Sequence, residues 1–248
     1  MPAATIDEVI DELTAIIEWS RKEHSRLGYF AALYRTVTVE VKKGIQAGRF
    51  QDGPRMEKLD VAFANRYLDA LRLYRAGQPT TECWQIAFDA ASTWRPLILQ
   101  HLLAGMNAHI NFDLGVSAAT VAPGADLSGL QHDFEEINKI LASLTNEVQT
   151  KISRVSPWMT VLDWIGGRTD EAVVNFSIDA ARKASWRTAQ RLAATPQSGW
   201  PPALAELDRT VMELGRLVLH PGWFLSTGLL VVRIRETQDI GRVIDALT

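Results

Sequence analysis

A single cysteine, Cys83, leaves no internal disulfide to form, so nothing in the chain calls for an oxidising compartment. Within Glu-Cys-Trp-Gln-Ile-Ala-Phe it reads as a small core residue. Excess charge is also scarce. The chain sets 26 Lys and Arg against 29 Asp and Glu, a formal net charge of −3, which gives no support to nucleic-acid binding, where a basic face is needed. Long apolar runs are missing too. The longest, residues 217–232, is interrupted by His220, Pro221 and Gly222 and falls short of the ~20 residues of a spanning helix. It reads as buried helix, and no membrane span is expected. The first residues, Met-Pro-Ala-Ala-Thr-Ile-Asp-Glu, carry no basic-then-apolar signal pattern, so the expected location is cytoplasmic.

Several chemical signatures are absent as well. There is no Gly-x-Ser-x-Gly elbow, no glycine-rich phosphate loop, no His-Glu-x-x-His and no Cys-x-x-Cys. Neither the paired Glu-x-x-His ligands of di-iron bundles nor an Asp-Asp-x-x-Asp run occurs.

Helical periodicity is what the chain does have. Thr5-Ile-Asp-Glu8 reads as a capping box, followed by Ile6, Val9, Ile10, Leu13, Ile16 and Ile17 at helical spacing to about Arg26. Further helices are expected from Tyr29 to about Gln46, from Arg55 to Arg75 and from Thr80 or Thr81 to about Thr93. The β-branched stretch Thr36-Val-Thr-Val-Glu-Val favours a strand by propensity, but its helical flanks decide for helix. A long helix follows Pro96 to about Thr120, and another starts at Asp126 or Ser128. A short helix from Pro157 to Gly166-Gly167 precedes one that opens at Thr169 and runs to about Ala194. Residues 195–202, Thr-Pro-Gln-Ser-Gly-Trp-Pro-Pro, form the clearest loop, with helices over about 203–219, 222–235 and 238–247 beyond it. No hairpin-spaced strands, βαβ order or fixed-period repeat is visible. The expected fold is all-α: one bundle-like domain of roughly nine to eleven helices around a central helix at about 97–120, the C-terminal helices docked on it.

That central helix carries the main functional signal. In His101-Leu-Leu-Ala-Gly-Met-Asn-Ala-His-Ile-Asn-Phe-Asp-Leu114, His109 and Asp113 share one face and Asn107 and Asn111 another, at about 100° per residue. Polarity on two sides of an apolar helix suggests a rod touching protein all round, and buried polar groups are costly without partners. An i,i+4 His/Asp pair holds a divalent metal or lets the carboxylate orient the imidazole as a general base; the plain alternative is a hydrogen bond that fixes packing. Candidate metal ligands are His109 and Asp113, completed by His101, His24 or Asp133, and such a set suits zinc, iron or manganese better than calcium. Asn107 and Asn111 would hold substrate or a neighbouring backbone. Gly105, with Ala104 and Ala108, permits close approach of a helix or a ligand. Tyr34, Phe63, Tyr67 and Trp84 are candidate pocket walls, as Tyr29 and Phe30 are, although such aromatic stripes more often pack a core.

Phe63-Ala-Asn-Arg-Tyr67, Trp84-Gln-Ile-Ala-Phe88 and above all Gly105-Met-Asn-Ala-His-Ile-Asn-Phe-Asp-Leu114 resemble an uncharacterised bacterial family, domain of unknown function 5995, from about residue 25 to the end. The resemblance implies one continuous domain with 105–114 as its signature; it supplies no substrate and no catalytic roles. The expectation is a small-molecule enzyme, with or without a metal, acting on a partly apolar substrate at the His/Asp/Asn site. The alternative is a non-catalytic binding protein for a lipophilic molecule, its polar string a structural network. A partner-binding bundle would leave that polar helix unexplained.

Overall fold

The computed structural model describes residues 1–156, 177–221, 229–230 and 232–248, which form a single all-helical domain with no strand among them. The short helix expected from Pro157, the start of the one expected at Thr169 and most of the one expected over 222–235 lie outside the described residues. In chain order the helices are α1 (Ile6–Lys22), α2 (Gly28–Gln46), α3 (Gly53–Arg75) and α4 (Glu82–Ala91). The central rod follows: α5 (Ile98–Asn107), a π-helical segment (Ala108–Leu114) and α6 (Gly115–Val121). Then come α7 (Leu127–Ser153), α8 (Ile178–Ala193), α9 (Trp200–Leu219) and α10 (Ile240–Leu247).

Local chemistry sets the boundaries. The Thr5 hydroxyl accepts from the Glu8 amide, and the Glu8 carboxylate accepts from the Ala4 amide, so the expected box closes one residue early. α1 stops at Lys22 rather than near Arg26, because His24 takes a left-handed conformation at φ 48° and turns the chain. The β-branched stretch is helical, and the Thr36 and Thr38 hydroxyls bond back to the carbonyls of Ala32 and Tyr34. α9 begins at Trp200, inside the expected loop. Pro201 and Pro202 occupy its first turn, where no amide proton is needed, and the Trp200 indole N–H donates to the carbonyls of Leu192 and Thr195.

The rod is central, as its two-sided polarity implies. α2, α3, α4, α8 and α9 all pack against it or its π segment. Backbone angles at both junctions stay α-helical, so 98–121 runs on without a break. Two glycines set the closest approaches. A Cβ on Gly105 would lie 2.7 Å from the Phe30 ring, and one on Gly115 would lie 2.7 Å from the Ser185 carbonyl oxygen of α8. Close packing, rather than a ligand, is therefore what Gly105 permits. The Phe30 ring is hemmed in by Tyr34, Tyr67, Trp84 and His109 and has room only on its cavity side. Gly105→Ala is expected to cost about 1–3 kcal/mol by overpacking, read as a lower Tm in thermal denaturation.

Candidate functional site

The rod puts His109 and Asp113 at the middle of the molecule, both on the π-helical segment and both almost fully buried. Such segments are rare and recur at functional sites. Asp113 is a hub. One carboxylate oxygen accepts from Arg66 Nε at 2.8 Å; the other accepts from Trp84 Nε1 at 2.8 Å and lies 3.3 Å from His109 Nδ1. With that acceptor beside Nδ1, the ring proton belongs on Nδ1, and Nε2 carries the lone pair.

Around the imidazole the walls are aromatic. Phe63 stacks on it at 3.5 Å between centroids and 9° between planes, and Tyr34 meets it edge-on at 4.5 Å. Burial lowers the His109 pKa and Arg66 adds to that, against the opposing pull of Asp113, so the ring is neutral and basic at Nε2. That nitrogen is buried and has no hydrogen-bond partner among the described residues.

His109 lines a cavity of about 310 Å³ whose walls are overwhelmingly aliphatic and aromatic. It runs between the rod and α7. Leu99, Leu103, Met106, Ile110 and Leu114 line it from the rod, and Ile137, Leu141, Leu144, Val148 and Ile152 from α7. From Ile137 to Ile152 the α7 wall extends about 22 Å at 1.5 Å per residue. α2 and α3 close the other side, with Tyr34, Phe63 and Asp60 among the lining residues.

Asp60 was not anticipated. Its Oδ2 is buried without a partner among the described residues, and burial, then Glu57, raises its pKa from 3.8 to about 7. The signal was present in the sequence: Met56, Asp60, Phe63 and Tyr67 share one helical phase, so a carboxylate stands in a core position. The folded protein therefore holds a proton that the unfolded chain releases above pH 3.8. Stability contributed by this group is greatest below that value, declines as pH rises to about 7, and is constant beyond. Asp60→Asn is expected to raise stability at neutral pH by a few kcal/mol, at ~1.4 kcal/mol per pKa unit. It should also flatten the dependence of Tm on pH between about 4 and 7.

The structure separates the other expected residues. Asn111 donates to Asn107, which donates to the Val211 carbonyl of α9, so this pair holds a neighbouring backbone and does not line the cavity. Tyr67 and Trp84 back the aromatic shell, with Trp84 5.7 Å from Phe30, and neither lines the cavity. The proposed metal completions do not join His109 and Asp113. His24 is exposed on the turn after α1. His101 packs edge-on against Tyr29 at 5.9 Å; burial, then Arg26 and Arg233, push its pKa down to about 3. Asp133 caps the α3 entry, accepting from the amides of Gln51 and Asp52. Burial would raise its pKa, but those two amides, His132 and Arg55 together bring it below the usual range. Among the described residues no group of three or more His, Cys, Asp or Glu side chains is gathered where it could hold a metal ion. The five expected ligands are thus not gathered into one set: helical spacing brought His109 and Asp113 together, and tertiary packing placed His24, His101 and Asp133 elsewhere.

A family model described as a family of unknown function, DUF5995, matches residues 6–221. The chain belongs to that family. DUF5995 thus takes in α1, which the resemblance beginning near residue 25 left out, and the match ends just past α9. It contains the whole rod, the π segment and every cavity residue discussed. No curated protein and no solved structure matches this chain. Among the described residues no helix is long and apolar enough to cross a membrane.

Proposed function

We propose that this DUF5995 member acts on a small, largely apolar molecule by proton transfer, with His109 as general base. The reading rests above all on one observation: a neutral, buried imidazole, oriented at Nδ1 by Asp113, has an unpartnered Nε2 and lines an elongated apolar cavity. Asp60 and the Tyr34 phenol line the same cavity and supply the donor side. A base with a lowered pKa and a carboxyl with a raised one form the pairing that acid–base chemistry uses at neutral pH. None of the described lining residues is Ser, Thr or Cys, so among them attack by an alkoxide or thiolate has no support. Proton abstraction next to a carbonyl fits best: Nε2 takes the proton from carbon, and the enolate oxygen is met by the Asp60 carboxyl or the Tyr34 hydroxyl. A cytoplasmic location is part of this reading and rests on sequence alone.

The test is hydrogen exchange at carbon. The protein is incubated in D2O with alkyl methyl ketones of increasing chain length, and deuterium gain is followed by mass spectrometry. Exchange above the buffer rate that rises with chain length supports the proposal; no exchange at any length overturns it. A second reading, a non-catalytic lipophile-binding protein, draws on the Asn111–Asn107–Val211 chain and on Arg66 and Trp84 saturating Asp113, which look built to hold structure. Ketones that bind tightly without exchanging would decide for it.

A further inference from the structure

Arg182 is a charge in a core position. In α8, Ile178, Arg182, Ser185, Ala189 and Leu192 share one helical phase, and Arg182 is only 4% exposed. Its Nε donates to Asn138 Oδ1 at 2.5 Å, its Nη2 donates to the Phe134 carbonyl, and its guanidinium lies over the Phe134 ring at 4.3 Å. Nη1 makes no hydrogen bond to a described residue, and no described carboxylate stands within ion-pair distance of the group. Burial pulls its pKa down to about 10, yet it stays charged. A buried cation with no described carboxylate within ion-pair distance, Asp179 acting on it only from farther off, is costly to maintain unless something repays it.

Its position narrows what could repay it. Arg182 lines the apolar cavity and also a cleft formed with Lys183, Trp186 and Arg187, so it stands where the two meet. Its bonds to Phe134 and Asn138 put it at the Ile137 end of the α7 wall, and Leu114 of the rod lines the same cavity. His109 lies five residues back along the rod, about 8 Å by helical rise, and the apolar wall continues to Leu99 and Ile152.

We propose that the cavity selects a single-chain amphiphile ending in a carboxylate, its head on Arg182 at the mouth and its tail along α7, past His109. One guanidinium in a largely apolar lining matches the single negative charge of a carboxylate. In the outer cleft the exposed Lys183 and Arg187 outnumber Glu135 and draw the acid in. This inference rests on the cavity being the ligand site, and it places the reacting carbon within a few bonds of the acid head.

The test is calorimetric titration of the full chain with dodecanoic acid, its methyl ester and dodecanol in mildly alkaline buffer. Charge-assisted hydrogen bonding predicts that the acid binds about tenfold to a hundredfold tighter than the alcohol or ester. Arg182→Gln should abolish that preference while leaving alcohol binding in place, and Arg182→Lys should keep part of it. Equal binding of acid and alcohol by the wild type, or an acid preference that survives in Arg182→Gln, overturns the proposal. Should the glutamine variant not fold, the wild-type ratio and the lysine variant decide. Acid selectivity without ketone exchange would sink the proton-transfer reading alone; ketone exchange without acid selectivity would sink this inference alone.

Discussion

Replacing Asp113 by alanine is expected to cost about 3–5 kcal/mol, the range for breaking a buried charge pair from one side. The deletion strands three donors at once: Arg66 Nε, the Trp84 indole N–H and the His109 Nδ1–H. Arg66 is 31% exposed and can turn partly to water, which moves the expectation toward the lower end. Trp84 and His109 are buried and cannot. Asp69 is the control. It pairs with Arg72 at 2.5 Å, but both side chains are more than half exposed, so Asp69→Ala should change stability by less than about 1 kcal/mol. Urea denaturation of both variants checks this; a mild Asp113→Ala phenotype would mean that the hub does not organise the core.

His109→Gln carries the largest expected effect on activity. Loss of a positioned general base typically costs about 100- to 10,000-fold, and the ketone exchange rate should fall by that much. Stability should fall far less than in Asp113→Ala, because glutamine leaves Arg66 and Trp84 on the carboxylate. Circular dichroism and Tm separate lost chemistry from lost fold. The pH profile gives an independent readout. Burial, then Arg66, holds the His109 pKa below its ordinary value of 6.5, so exchange should persist through the usual histidine range and fail only in more acidic buffer. Unchanged exchange in His109→Gln would remove this residue from the mechanism.

Much of the fold was legible because helical periodicity is a local property. The apolar stripes of α1, α2, α3 and the rod can be read from the chain within a few residues of their ends. Errors at boundaries came from contacts that spacing cannot register, such as the Trp200 indole bonded to α8 carbonyls, which starts α9 inside a Pro-rich segment. The His109–Asp113 pairing was also legible, since residues one turn apart on a helix meet whatever surrounds them. Asp60 and Arg182 were legible in part: each breaks the apolar phase of its own helix, the mark of a charge bound for the interior. Their roles could not be read, because a charge in core register is equally the mark of a buried ion pair.

By itself the sequence determined an all-helical fold of the described residues, a central rod polar on two sides, and membership of a family whose model spans that rod. All of these follow from patterns repeating within one or two turns. Tertiary structure alone decided which polar groups meet. It brought Arg66 and Trp84 to Asp113, sent Asp133 to cap α3, left His101 against Tyr29, and opened a cavity lined jointly by α2, α3, the rod and α7. The reason is physical: a contact between distant segments depends on how whole helices cross, and crossings are set by side-chain shape summed over many residues, which no short window of sequence contains.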